Sequence, residues 1–452
     1  LTSNYEAEFG KAAGGQIAIT TKSGTNHWHG DARFFHRNES LNANEWFNKK
    51  NELQGGSPNT PALYRYNYVG YQIGGPIRKN KLFFFWSQEF YRQLIPIGGT
   101  AQFYTPTALE RQGDFSQSVV PDSNSKNPPD PVVIAEPGIT NNVISSSQIN
   151  PQVQKILNLF PLPNVSGFGV NGQNYNFSEA LSGHAPRRED ILRVDFQINS
   201  GNRLYGRWIH NSEEDTSPYV PFPGPFGIFA CSSGVTFPGG CTQKHPGWNF
   251  SANLVSTITP TLLNEFSVGP SHTLSIAEPV NGNITRATNG ITLPLLFPLS
   301  PNQSIPDMSF NFNGPNVSLP GGYLGATPWH QANTTINVND NLTWVRNNHI
   351  FKTGLFYQRS RKDQIAWGNI NGQFSFSTAP TSGGTCPAGV TCTLGDPFAS
   401  ALLGDFDSFD QSTARPLGKF RYNQFEFYLQ DTWKALSRLT LYYGMRFVWI
   451  PP

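Results

Sequence analysis

The sequence predicts an all-β chain: part of a transmembrane antiparallel β-barrel, about 11 of 22 strands, with long extracellular loops. Three observations predict it. Apolar and polar residues alternate over segments of about 10 residues, the length at which a tilted strand crosses a bilayer. Very short turns and very long connections follow one another without a miss, whereas connections beyond about 15 residues are uncommon in soluble domains. The composition is rich in aromatics, at 13%, and in turn formers, with 43 Gly and 36 Pro, yet only 14% of residues are charged. Glycine and proline at that density disfavour helix along much of the chain.

Other classes fall on the same numbers. No run of about 18 apolar residues is present, so a membrane-spanning helix is excluded. A net charge of +2 supplies no field for nucleic acid. So many Phe and Trp argue against disorder. The opening LTSNYEAEFG has neither a basic start nor an apolar stretch, and it reads as the interior of something longer.

Taken in order, segment 27–37 sets Trp28, Gly30, Ala32 and Phe34 against His29, Asp31, Arg33 and Phe35. Segment 67–75 alternates Val69, Tyr71 and Ile73 with Gly70, Gln72 and Gly74, and 82–90 offers Leu82, Phe84, Trp86 and Phe90 on one side. Leu192, Val194, Phe196 and Ile198 oppose Arg193, Asp195 and Gln197; Ile336, Val338, Leu342 and Trp344 oppose Asn337, Asn339, Asn341 and Thr343. Phe425, Phe427 and Leu429 alternate with Gln424, Glu426, Tyr428 and Gln430. The last segment sets Leu439, Leu441, Tyr443, Met445, Phe447 and Trp449 against Thr440, Tyr442, Gly444, Arg446 and Val448.

Short turns fall at 77–81, 200–202, 259–261, 346–348 and 435–437; long connections fall at about 38–63, 92–187, 211–247, 273–331 and 361–418. Outer-membrane barrels have short periplasmic turns and long extracellular loops, which orients the strands and gives 11 crossings. Parity requires segment 361–418 to contribute zero or two crossings. Its alternating piece Gln373–Ser377 and helical stretch Pro397–Leu403 are therefore read as an extracellular excursion. Bacterial barrels close with an even number of strands, and an open edge cannot stand in lipid. Further strands are thus expected outside this sequence.

Several stretches resemble TonB-dependent outer-membrane receptors, in particular the Oar-like group with a carboxypeptidase-regulatory-like domain. NYEAEFGKAAGGQIAITTKSGTNHWHGDARFFHRNESLNANEWF (4–47) is similar to the last plug strand entering the first barrel strand. VGYQIGGPIRKNKLFFFWSQE (69–89) resembles the second-to-third-strand hairpin, and TPTALERQGDFS (105–116) with INPQVQKILNLFPLPN (149–164) the long loop that follows. FYLQDTWKALSRLTLYYGMRF (427–447) resembles a mid-barrel hairpin. The resemblance implies a 22-stranded barrel with a plug, of which residues 1–24 are the C-terminal tail and 25–452 the N-terminal half of the barrel. It also implies a TonB complex as partner, acting through a region outside this sequence, and an unknown extracellular ligand.

Val69, Tyr71, Ile73, Phe84, Val194, Phe196, Val338, Leu342, Phe427, Leu441 and Phe447 are expected to meet lipid. Gln72, Arg193, Asp195, Asn339, Glu426 and Arg446 are expected to face a wet lumen. Trp28, Trp86, Trp344, Trp433 and Trp449 lie near strand ends, where aromatic girdles sit. Catalytic patterns are weak. His27, His29 and Asp31 share a face, which reads better as a polar wall than as a metal site. GGQIAITTKS (14–23) lacks the glycine that must precede Lys22 in a phosphate loop. Glu189 and Asp190 beside Arg187 and Arg188 read as a solvated strand boundary. No G-x-S-x-G elbow is present; neither an enzyme nor a cofactor is expected.

Cys231/Cys241 and Cys386/Cys392 form two local pairs in long loops, read as disulfides in an oxidising exterior. Ligand contacts are sought in the loops and on the lumen rim. Tyr104, Phe115, Phe160 and Phe168 of the longest loop either support that loop or touch a ligand, support being the simpler reading. Arg359, Arg361 and Lys362 at one outward strand end are candidates for anionic ligands or lipopolysaccharide phosphates, against a merely solvated rim. An uptake receptor is the leading reading; a barrel scaffold for adhesive or signalling loops and a soluble secreted β module are the alternatives.

Overall fold

The computed structural model describes residues 6–10, 20–44, 46, 61, 63–120, 129–167, 173–217, 241–279, 285–297, 304–312, 328–366, 368–389 and 392–451. Phe168 and Cys231 lie outside them.

Eleven strands form the wall: β1 His29–Asn38, β2 Arg65–Arg78, β3 Leu82–Phe103, β4 Arg187–Asn199, β5 Asn202–Ser217, β6 Gly247–Thr259, β7 Leu262–Pro279, β8 Trp329–Arg346, β9 His349–Ile365, β10 Leu417–Leu436 and β11 Leu439–Trp449. Each pairs antiparallel with the next in sequence order, with β1 and β11 at the two edges of the described sheet. The hairpins match the five short turns of the sequence. Asn80 and Asn347 take left-handed φ values of 60° and 52° in two of them, a conformation asparagine tolerates better than most residues. Four hairpins shift register just before the turn, at 76/78, 197/199, 257/259 and 434/436, as a bulge that increases local twist would do.

The strands stand taller than the alternation suggested. β3 runs 22 residues and β10 runs 20. Two further pieces, Phe177–His184 and Cys241–Lys244, continue β4 and β6 upward beyond Pro186 and Pro246. A proline has no N–H to give the ladder, yet its carbonyl still accepts: Glu214 donates to Pro186 and Leu274 to Pro246, at 3.1 and 2.9 Å. Beyond the bilayer both faces meet water, so the backbone ladder persists where the apolar–polar alternation fades.

Side-chain exposure separates the two faces in the direction opposite to a soluble sheet. On β10, Phe427 and Leu429 are 45% and 58% exposed, whereas Glu426, Tyr428 and Gln430 are 4%, 3% and 6% exposed. Cross-strand partners keep the division: Phe427 faces Phe447 and Leu355, and Tyr428 faces Arg446 and Gly354. The apolar set therefore looks outward and the polar set inward, and the chain is a transmembrane antiparallel β-barrel wall. Aromatic pairs mark both margins of the outer face. Trp344 lies tilted against Phe351 (5.6 Å) and Trp433 stacks on His349 (5.5 Å) at the short-turn end, while Phe425 contacts Tyr357 (4.8 Å) and Trp449 (5.5 Å) higher up.

The dry core lies elsewhere. On the long-connection side, the described residues 104–120, 129–167, 173–176, 285–297, 304–312, 368–389 and 392–410 fold together into a cap. Tyr104, Phe115, Val120, Ile156, Leu157, Ile305, Phe310, Phe376, Phe398 and Leu402 pack in it. Strand pairing ties the segments: Asp307–Asn311 runs parallel to Gln373–Ser377, and Thr393–Leu394 runs parallel to Val132–Val133. Helix α1, Pro151–Leu157, starts on the Asn150 side chain, which accepts from Gln152 N and Val153 N, with Pro151 at its first turn. Helix α2, Pro397–Leu403, starts on Asp396 in the same way and stops at Gly404, whose φ of 86° suits glycine. All seven residues of α2 except Leu403 are buried, and Phe398 lies 4.6 Å from Phe310 and 5.7 Å from Tyr104. The described residues between β9 and β10 thus form an excursion without a wall crossing, one of the two outcomes parity allowed and the one expected, but their core is shared with two other connections.

Two carboxyls are sealed in this core. Glu110 accepts from Tyr104 Oη (2.6 Å), Ser118 Oγ and Thr107 N (2.8 Å). Burial, then the neighbouring Glu110 charge, pushes Asp396 up to about 8 against the opposing helix N–H bonds. A carboxyl held protonated in the folded cap stabilises it fully below about pH 4, and that contribution is lost as pH rises towards about 8. Limited proteolysis of the cap should therefore be slower at pH 5 than at pH 9. Asp396→Asn, which keeps the helix cap, should flatten that dependence; an unchanged slope in the variant would place the titration elsewhere. Phe398→Ala should cost the cap about 3–5 kcal/mol, read as lost hydrogen-exchange protection in cap segments while the wall amides keep theirs.

Candidate functional site

The inward face of the wall is where polar chemistry collects, and the described N-terminal residues 6–10 and 20–26 make contacts with it. At one side, residues 6–10 lie on β9, β10 and β11. Lys352 pairs with Glu8 at 2.7 Å, Gln430 donates to Glu6 at 2.6 Å and receives from Glu8 N at 3.2 Å. Arg446 pairs with the buried Glu426 and donates to the carbonyls of Ala7 (3.1 Å) and Glu8 (3.2 Å). A Cβ on Gly10 would come within 2.6–2.7 Å of Arg446 and Glu426, so glycine permits this close approach.

At the other side, Arg193 holds Asp195 through two bonds of 2.9 Å, lies 4.3 Å over the Tyr205 ring and donates to the carbonyl (3.0 Å) and hydroxyl (3.1 Å) of Thr21. Arg203 reaches the same Asp195 at 2.6 Å. Asn26 and Asn80 exchange hydrogen bonds of 2.6 and 2.7 Å, pinning the segment to the β2–β3 turn just before β1 begins. The segment therefore has anchors on both halves of the sheet. Every one of them is polar, and polar anchors can be exchanged for water.

Two features of this face escaped the sequence reading. Phe35, Tyr66, Tyr68 and Tyr91 form an aromatic ladder inside the wall, with Tyr68 4.9 Å from Tyr91 and 5.5 Å from Phe35, and Tyr91 Oη donating to Glu89 at 2.7 Å. The inward parity of these residues was the available signal, but alternation by hydrophobicity assigns aromatics to lipid. Higher up, a cleft of about 670 Å³ opens between β4 and β8, lined by Arg187, Asn211, Glu213, Asn249, Ser271, Thr273, Ser275, Trp329, Gln331 and Asn333. Ile209, Trp248 and Leu274 complete a lining that is mostly apolar in surface, with the amides and hydroxyls set into it, and Arg187 is already engaged by Glu189 at 2.9 Å.

The residues singled out in sequence are dispersed. Tyr104 and Phe115 are 3% and 0% exposed in the cap core, which corrects the expectation of ligand contact for both: their rings are spent on packing. Phe160 is buried with them. Arg359 and Arg361 lie on the outward face of β9, across from Asn423 and Arg421, whereas Lys362 has inward parity. Cys386 and Cys392 are joined in a disulfide; Cys241 opens the extension of β6, and its partner in the sequence reading, Cys231, is not described. His29 and Asp31 face inward, Asp31 accepting from Gln72 and pairing with Arg33 at 3.4 Å. Glu189 and Asp190 lie within β4 on opposite faces, Asp190 outward between Arg188 (2.9 Å), His210 (3.1 Å) and Gln88 (2.5 Å).

No curated protein sequence matches the chain significantly. Among solved structures, the outer membrane transporter YddB from Escherichia coli is similar over 99% of this chain and 42% of its own, at 9% identity and a TM-score of 0.47. The ferric enterobactin receptor PfeA from Pseudomonas aeruginosa is similar over 98% and 43%, at 9% identity and 0.44. The siderophore receptor PirA from Acinetobacter baumannii is similar over 95% and 39%, at 10% identity and 0.41. The chain spans less than half the length of these proteins. The family model of the outer membrane beta barrel domain matches residues 20–452, a match that agrees with the outward apolar wall and the wet lumen; the chain belongs to that family and resides in the outer membrane.

Proposed function

We propose that the chain is the barrel portion of a TonB-dependent receptor, of the Oar-like group, which takes a ligand from outside the cell and imports it past a plug. The observation that carries this reading is the polar anchoring of Glu6, Ala7 and Glu8 at one side of the lumen and of Thr21 and Asn26 at the other. A channel left open would need no such segment, and a permanent filler would be better held by apolar packing. Charged and amide contacts exclude the lumen from passive flow, yet a pull along the chain can replace them one by one with water. The cleft on the same inward face, mostly apolar with amides and hydroxyls set into it, offers a place for a ligand to wait. The cap, a folded unit raised above the wall, is the feature that suits the second reading, a scaffold for surface interactions.

Two experiments test this. Arg446→Gln combined with Lys352→Gln removes the charged anchors of residues 6–10, and should raise cellular sensitivity to vancomycin, a solute too large for ordinary porins. Unchanged sensitivity would mean that the segment does not seal the lumen. Depletion of medium components by growing cells, followed by mass spectrometry, should show at least one solute whose uptake requires both this gene and an energised inner membrane. If gene loss changes only cell–cell or surface attachment, the scaffold reading replaces transport.

A further inference from the structure

Arg361 on β9 and Arg421 on β10 are direct cross-strand partners, with Asp363 opposite Lys419 and Arg359 opposite Asn423 in the same register. All six share the outward parity of Leu355, Tyr357, Phe425 and Phe427. Like charges directly opposite on one sheet face destabilise it unless an anion lies between them. The described residues supply one counter-charge: Asp363 reaches Arg421 at 2.6 Å, Arg421 also donates to the carbonyls of Phe420 (2.7 Å) and Lys362 (3.3 Å), and Arg359 donates to the neutral Asn423 at 2.9 Å. On the adjoining strand the residues opposite Arg359, Arg361 and Asp363 are Ile336, Thr334 and Ala332, none of them charged. Four cations and one carboxylate thus occupy one outward patch.

Its height names the occupant. The aromatic contacts among Tyr357, Phe425 and Trp449 lie directly beneath and mark the hydrocarbon margin. Arg359 stands twelve residues above the Asn347 turn, about 30 Å for a strand tilted at about 40°, which is about the thickness of a bilayer core. The patch therefore lies at headgroup level, facing away from the lumen, where an imported solute does not pass and a soluble protein would have to displace lipid. We propose that Arg359, Arg361, Lys419 and Arg421 bind the phosphate groups of an outer-leaflet lipopolysaccharide whose acyl chains lie on the aromatic and aliphatic face below. Guanidinium forks suit phosphate oxygens in a two-bond geometry, and one phosphate between Arg361 and Arg421 turns a repulsive cross-strand pair into a bridged one.

The test is binding of purified deep-rough lipopolysaccharide to the full chain in detergent micelles, measured by native mass spectrometry, with heat-modifiable gel mobility as the check on folding. Wild type should retain the glycolipid, and enzymatic removal of its lipid A phosphates should weaken retention about thirtyfold. Arg361→Gln with Arg421→Gln should weaken retention of the phosphorylated form by a similar factor, while Arg438→Gln at the opposite end of the wall should leave it unchanged. Equal retention of the dephosphorylated glycolipid by wild type, which needs no variant, would overturn the proposal. So would full competition by millimolar inorganic phosphate, which would make the patch a soluble-anion site.

Discussion

The backbone hydrogen bond is the constraint on which the rest of this structure depends. Hydrocarbon offers no partner to an N–H or a carbonyl, so each wall strand must be paired along its full depth. The unbroken antiparallel order from β1 to β11 meets that demand. Once the ladder is in place, the pleat sends successive side chains to opposite faces, and chemistry can be divided between lipid and water residue by residue. The aromatic margins, the charged lumen and the outward arginines are all consequences of that division.

The lipid also replaces what a soluble sheet must find in a second layer of protein. The wall needs no packed partner, so the large fully buried side chains gather where water is on all sides, in the cap. There the entropy of long connections must be offset by burial, and three connections pool their apolar residues because none has enough alone. Phe115 and Val120 come from the first, Ile305 and Phe310 from the second, Phe376 and Phe398 from the third. Sealing Asp396 in that core makes the stability of the cap depend on pH.

The lumen is held by a different balance. Arg193, Asp195 and Glu426 are buried charges and Arg446 is half-buried; each is matched to an opposite charge, and the two arginines also reach the main chain of Thr21, Ala7 and Glu8. Such pairs specify position more than they add stability. That property fits a segment that must sit in one place and still be movable.

Alternation and turn spacing, read along the chain, were enough for the class of fold, the number of wall strands, their boundaries at the short-turn end and the face of nearly every wall residue. These are local properties: a period of two and a two- or three-residue turn are written in neighbouring letters. The inward tyrosines Tyr66, Tyr68 and Tyr91 broke the rule because an aromatic ring with a polar tip serves either face. What only the tertiary structure decided are the contacts between distant segments. Nothing near Tyr104 or Phe115 announces that residues some 200–300 positions later will close over them. Likewise, Arg361 and Arg421 become a like-charged pair only through the register of two strands joined by a folded excursion. Such pairings depend on which surfaces meet, and that is settled when the loops pack, not by the order of residues along any one of them.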